Sequence, residues 1–351
     1  MKKTRFESIG AYVPENSVTT KELIAKMATP PIFDLEELTG IKERRMRSES
    51  EDSFTIALEA VKNCLKNSKY DASDMDVIIT TQITRFKDGM FLYEPTMTQL
   101  LKNALGARRA MNFDISNACA GMFTGVYVLD NLIKAGVVKR GLVVSGECIT
   151  PITDTAIKEI CEPIDDQFAS LTVGDAGACV IMDESPSDEE GYIWDIDLRT
   201  FSQFAEMCLG MPSIKNAGVA MYAKAMEIQA EVIARVPKGI RSALDSGLKP
   251  SDYDFVLPHQ TSTRAMQSAL HKIQRLCEIE TMPECLYTVH KYGNTASTSH
   301  FVAMDDHIKS KVIKKGTTGV LIVLGSGITM GRVSVKFGSM GSMRSGDEHD
   351  D

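Results

Sequence analysis

The chain has 351 residues, 43% of them hydrophobic, enough for one large core or two fused ones. Its net charge of −8 argues against a nucleic-acid-binding role. Its eight cysteines form no CxxC pair, so neither a zinc site nor a disulfide framework is expected, and no metal or other cofactor is called for.

The basic start, Met1 to Arg5, lacks a following apolar stretch and is not read as a signal peptide. No apolar run approaches 18 residues, so no membrane span is expected. With a reactive thiol to protect, the expected compartment is the cytoplasm. Phe54 to Val61 carries a helical pattern. Val77 to Ile79, Leu142 to Val144 and Val320 to Val323 are continuous apolar runs, as in sheets covered on both faces. Strands alternating with helices indicate α/β layers. Asp183 to Gly191, acidic and holding Pro186, reads as a linker. It separates an N-terminal half (1–183) from a C-terminal half (191–337). The tail 338–351, rich in Ser, Gly and Met and then acidic, reads as disordered.

The most informative segment runs from Met111 to Leu129. An apolar strand leads into Asn117-Ala118-Cys119-Ala120-Gly121 and then a buried helix. A cysteine on such a turn lies near a helix N-terminus, where the dipole favours thiolate. Two later segments supply partners. Phe255 to Pro258 is a strand that ends in His259, and Gly293-Asn294 is a turn before small hydroxyl residues. Cys119, His259 and Asn294 form a nucleophile constellation. A papain-like protease has the same residue order, but its signature around the cysteine is absent.

The chain also repeats itself. Ser73-Asp74-Met75-Asp76 and Ser251-Asp252-Tyr253-Asp254 each precede an apolar strand and a glutamine, 178 positions apart (251 − 73). The same offset carries Gly141 to Gly319 and Cys119 to Ser297. A single offset joining these landmarks indicates a duplicated α/β unit.

With these motifs, the chain resembles the β-ketoacyl-acyl-carrier-protein synthase III branch of the thiolase superfamily. The resemblance runs from about Arg5 to Phe337. It rests on Thr39 to Arg45, the Cys119 segment, Val173 to Ala178, Pro258-His259-Gln260, Gly293-Asn294-Thr295 and Leu324 to Gly331. It implies the thiolase fold, five-layered αβαβα from two duplicated halves. It further implies a homodimeric acyltransferase that joins acyl thioesters by Claisen-type C–C bond formation through an acyl-cysteine. Cys119 would be the nucleophile, the peptide N–H groups of Cys119 and Ser326 the oxyanion hole, and His259 and Asn294 the donors to an enolate.

Some positions depart from the family. Its coenzyme-A clamp, Trp-x-x-x-Arg-Thr-Gly-Ile, reads Asp34 to Ile41 here, with Asp34 for the aromatic and Leu38 for the cation. Acyl carrier protein is therefore favoured over coenzyme A as donor, and Arg264 matches a carrier-docking position. A specialised fatty-acid or polyketide pathway is expected. Glu94 stands 25 residues before Cys119, where the family has a Phe that crosses to the partner subunit. A carboxylate there resembles head-to-head acyl-condensing and dialkylresorcinol-type enzymes. It raises an alternative: condensation without decarboxylation, with Glu94 acting in trans as a base whose pKa an apolar tunnel would raise. A non-catalytic partner subunit of a synthase is disfavoured by the intact Cys119, His259 and Asn294. Met90, Met97, Met122, Met211, Met221 and Met330 lie in segments that could line an acyl tunnel, but core filler is the favoured reading of such methionines; Glu147 and Asp175 read as structural.

Overall fold

Ten strands form one mixed sheet in the computed structural model, which describes residues 2–162 and 164–340. In chain order they are β1 (Thr4–Tyr12), β2 (Val77–Thr80), β3 (Met111–Asp114), β4 (Arg140–Glu147), β5 (Ala176–Glu184), β6 (Gly191–Phe204), β7 (Phe255–Pro258), β8 (Glu284–Cys285), β9 (Thr318–Gly325) and β10 (Gly327–Phe337). Their spatial order is β8-β7-β9-β10-β6-β1-β5-β4-β2-β3. Each half therefore repeats one topology: in both, the second strand lies between the third and fourth, and the fifth joins the fourth to the first. The parallel pairs also match, β2 with β3 and β4, and β7 with β8 and β9. The halves join where Thr4 of β1 pairs with Ile193 of β6.

The duplication extends to backbone conformation. Ala118 and Ala296 are 178 residues apart (296 − 118), and both have positive φ, 44° and 53°. A non-glycine residue there costs about 1–3 kcal/mol. Each opens one 3₁₀ turn, Ala118–Ala120 or Ala296–Thr298, that feeds a helix, α3 (Gly121–Lys134) or α7 (Ser299–Lys309).

These two helices fill the middle of the molecule. Phe123 of α3 meets Phe301 of α7 at 5.1 Å between ring centroids. The central core joins them to inward-facing residues of both sheet halves, among them Ile79, Val143, Leu257, Leu321 and Val333. Successive β residues point to opposite faces, so Leu142 and Val144 flank Val143 but pack outward. They meet α1 (Ser53–Lys66), started by a capping box between Asp52 and Thr55. The helix α2 (Met97–Leu105) covers the same outer face, with a Thr96–Gln99 capping box and Gly106 in left-handed conformation at its end. A short helix, α4 (Pro151–Glu159), follows β4. On the other outer face lie α5 (Ala225–Asp245) and α6 (Thr263–Leu276), of which only Met266 is fully buried. The layers are thus helix, sheet, paired helices, sheet, helix, the five-layered αβαβα arrangement.

One sequence expectation changes. Gly338–Met340 continue from β10, and Met340 is buried in the central core, because it closes the apolar space beside the sheet. Residues 341–351 of the expected disordered tail lie outside the described residues. Of the methionines weighed as core filler or tunnel lining, Met97 and Met122 are fully buried filler and Met90 is 64% exposed.

Candidate active site

The thiol side of the site is built by the end of β3 and the 3₁₀ turn before α3. Asn117 braces the turn: its Nδ2 donates to Thr124 Oγ1 at 2.8 Å, and its Oδ1 accepts from Thr329 Oγ1 at 3.3 Å. That second bond ties the turn to β10. The strand end of β9 comes equally close. A Cβ on Gly325 would lie 2.9 Å from the Ala120 nitrogen and 3.0 Å from its Cβ, so only glycine lets this strand approach. Ser326 follows directly, which sets its peptide group beside the Cys119 turn.

Cys119 is partly buried, and burial pushes its thiol well above the usual range, with Cys208 and Glu147 adding to the shift. The 3₁₀ turn places Cys119 ahead of α3, where desolvation of a thiolate opposes the pull of the helix dipole.

The imidazole and amide come from the other half. His259 follows β7, and its peptide N–H donates to Ile322 O at 3.1 Å. Gln260 is the brace that fixes this strand end: its Nε2 donates to Pro258 O at 2.7 Å, and its Oε1 accepts from the peptide N–H groups of Thr288 (2.8 Å) and Val289 (3.2 Å). Val289 opens the short helix Val289–Tyr292 that leads to Gly293-Asn294. Gly293 has φ +67°, and a Cβ there would fall 2.7 Å from Thr172 O. Asn294 bridges to the Val173-Gly174 motif by donating to Thr172 O (2.9 Å) and accepting from Gly174 N–H (3.1 Å). Its side-chain oxygen accepts from Ala296 N–H (3.0 Å) and Ser299 Oγ (3.3 Å). Its Nδ2 has no hydrogen-bond partner among the described residues.

His259 is buried and its Nδ1 has no partner. Burial, then the neighbouring His300, holds its pKa down at about 3, so the ring is neutral. The sequence reading missed His300, whose ring stacks on His259 at 5.6 Å and 20°. The available signal was the repeat: its counterpart 178 residues earlier is Met122, an apolar core residue.

The two residues read as structural are fully buried and densely bonded. Asp175 accepts from the N–H groups of Arg47, Ile149 and Thr150 and from Thr150 Oγ1. Glu147 accepts from Ile83 and Thr84 N–H, Thr84 Oγ1 and Ser297 Oγ. Ser297, the counterpart of Cys119, also bonds Ser145 at 2.7 Å.

Glu94 and Arg264 are exposed, unlike the buried His259. Glu94 is exposed on the chain, with no hydrogen bond or ion pair to another described residue, so no apolar tunnel of its own subunit encloses it. It follows an arm of two short strands, Phe86–Lys87 and Met90–Phe91, where Phe91 meets Phe86 and Tyr93 edge-on. Arg264 is an exposed residue in the first turn of α6, 3.3 Å from Glu37. Beside it, Asp34 caps the short helix Leu35–Thr39, and Leu38 is exposed. No group of His, Cys, Asp or Glu suited to holding a metal ion occurs among the described residues.

Duplicated halves whose strand ends supply a thiol from one and an imidazole and amide from the other are the architecture of thiolase-fold condensing enzymes. The comparisons narrow the class. Residues 113–202 match the model for 3-oxoacyl-[acyl-carrier-protein] synthase III, and residues 244–337 match its C-terminal model. The chain is 30% identical over 331 residues to β-ketoacyl-[acyl-carrier-protein] synthase III 1 of Halalkalibacterium halodurans, covering 94% of this chain and 97% of that one. It is 28% identical over 333 residues to the synthase III of Listeria monocytogenes serotype 1/2a, with the same coverage. The chain belongs to the β-ketoacyl-acyl-carrier-protein synthase III family and is a condensing enzyme, an acyltransferase acting on acyl thioesters. Xanthomonas campestris OleA has the same fold, with a TM-score of 0.83 at 18% identity over 96% of this chain and 97–99% of OleA. Its solved forms include one with bound lauric acid and lauroyl-CoA.

Proposed function

We propose that the enzyme loads an acyl group from a carrier-protein thioester onto Cys119 and condenses it with an acceptor thioester held by His259 and Asn294. In the first half, Cys119 Sγ attacks the thioester carbonyl, losing its proton as the bond forms. The peptide N–H groups of Cys119 and Ser326 receive the oxyanion, and the donor thiol leaves carrying a proton. In the second half, a malonyl-type acceptor loses CO2, and the electron pair left behind delocalises onto its thioester oxygen. Neutral His259 and the Asn294 amide donate to that oxygen. The carbon then attacks the acyl-Cys119 carbonyl, and collapse of the adduct expels the Cys119 thiolate.

The observation that carries this reading is the state of the Asn294 side chain. Its oxygen is already occupied by Ala296 and Ser299, which leaves the amide N–H groups to donate. Replacing Asn294 with Asp tests it. A carboxylate would repel the enolate, so loading of Cys119 should persist while product formation falls at least a hundredfold. Retained product formation would refute the assignment.

A carrier-protein donor is favoured by Arg264, exposed beside a clamp segment that offers Asp34 and Leu38 in place of an aromatic and a cation. A homodimer is favoured by β3, which ends the sheet with unpaired backbone groups, and by the arm beside it, where Met90, Phe91 and Tyr93 are all exposed. Arg85 at the root of the arm and Asp114 at the end of β3 are 3.8 Å apart, so the two share a face. In such a dimer the arm could carry Glu94 to the partner's acyl site. This supports the second reading, condensation without decarboxylation using Glu94 as base in trans. Mixing Cys119→Ala and Glu94→Gln subunits tests it. Mixed dimers would hold one complete site, giving about a quarter of wild-type activity from two inactive proteins; no recovery would refute a role in trans. All eight cysteines are free, in keeping with a cytoplasmic enzyme of a specialised lipid or polyketide pathway.

A further inference from the structure

We propose that His300 is a positioning residue for the condensation step, its ring setting the plane in which His259 presents its N–H to the enolate. The proposal rests on the role given to His259 above. His300 lies in the first turn of α7 and is completely buried. Its Nε2 stands 2.9 Å from the carbonyl oxygen of Ile322. A carbonyl only accepts, so Nε2 carries the proton and Nδ1 the lone pair. The same oxygen takes the peptide N–H of His259 at 3.1 Å. One carbonyl thus fixes both the backbone of His259 and the ring of His300, and the two rings lie face to face. The ring of Phe123 also packs against His300, at 4.8 Å between centroids and nearly perpendicular (87°). Phe123 belongs to α3, the helix that Cys119 precedes.

The plane of an imidazole decides where its N–H points. In many catalytic histidines a carboxylate or carbonyl on the other ring nitrogen sets that plane and the tautomer. His259 has no such partner: its Nδ1 is buried and makes no hydrogen bond. The flat face of His300 takes over this work. Being neutral, it offers His259 no negative charge that would draw a second proton onto the ring. The repeat shows that the fold does not itself require this. Met122 occupies the equivalent place in the half that supplies the thiol, and only the half that supplies the imidazole has a histidine there.

The test uses the full-length protein with His300→Leu, His300→Phe and His300→Gln. Two rates are read separately: loading of Cys119 by an acyl-acyl-carrier-protein that acylates the wild type, and product formation after adding malonyl-acyl-carrier-protein or a second acyl thioester. Leu removes the flat ring, and Gln keeps a donor for Ile322 O but also lacks the ring. Both should load within about twofold of wild type and lose at least tenfold in product formation, the scale expected when a donor is mis-aimed. Phe restores a flat face and should recover a third or more of wild-type turnover. Wild-type turnover in His300→Leu or in His300→Gln would overturn the proposal, as would loading and turnover falling together with Phe no better than Leu. A wild-type enzyme that loads Cys119 and yet forms no product would overturn the His259 reading, and this role with it.

Discussion

Replacing Gln260 by Met isolates the brace between the two donor residues. The side chain is 1% exposed and Met nearly matches its shape, so packing is largely kept. Three hydrogen bonds are lost. The peptide N–H groups of Thr288 and Val289, both buried, lose their acceptor, as does Pro258 O its donor. Each orphaned N–H costs about 1–3 kcal/mol, so the variant should lose about 2–6 kcal/mol. For 351 residues the unfolding entropy is about 0.7 kcal/mol per degree, which puts the fall in melting temperature at about 3–8 °C. The catalytic effect should be one-sided. His259 and the helix leading into Asn294 are uncoupled, whereas the Cys119 turn is held by Asn117 and Gly325 and is untouched. Calorimetry and the two separated half-reactions read this directly. Loading should stay within about twofold, and product formation should fall about tenfold or more. A melting temperature within 1 °C of wild type together with unchanged product formation would refute the reasoning, and so would an equal loss of loading.

Further outcomes follow from the buried imidazoles and the close strand. His259 and His300 are held down at about 3 and about 4, against about 6.5 in the unfolded chain. The unfolded state therefore binds protons that the folded state refuses, and stability falls as pH drops from about 6.5 toward 4. At pH 5 the cost is about 2 kcal/mol for each ring, so between pH 7.5 and 5 the melting temperature of His300→Phe should fall about 3 °C less than that of the wild type; equal slopes would refute this. Gly325→Ala places a Cβ 2.9 Å from the Ala120 nitrogen and must push the thiol turn from the Ser326 strand end. Cys119 loading should drop about 10–100-fold with far-UV circular dichroism unchanged, and loading within twofold of wild type would contradict the close approach.

Much of the architecture was legible in the sequence, for physical reasons. Buried strands such as Leu142 to Val144 must be apolar on both faces, and the duplication left one offset in the strand openings. The offset proved more informative than expected, since it also relates the strained backbone at Ala118 and Ala296. The segments bearing Cys119, His259 and Asn294 stood out because each ends a strand beside small residues. What could not be read was which contacts hold them. Gln260 and His300 act through space on residues 28 and 41 positions away, Thr288 and His259, and no local pattern marks such pairs. For the Cys119 thiol, the helix dipole is visible in sequence while the burial that opposes it is not. The two-stranded arm that precedes Glu94 could not be read from the sequence, because strands of two residues carry no periodic signal.

The central claim is that Cys119 carries the acyl group between two thioesters. Intact-protein mass spectrometry after exposure to matched acyl-acyl-carrier-protein and acyl-coenzyme-A donors tests it most directly, with Cys119→Ala as control. The account predicts a mass gain of one acyl group per chain, faster from the carrier protein, absent in the control and discharged when an acceptor thioester is added. A full-length wild-type protein that gains no acyl mass from any donor, or gains it equally in Cys119→Ala, would contradict it.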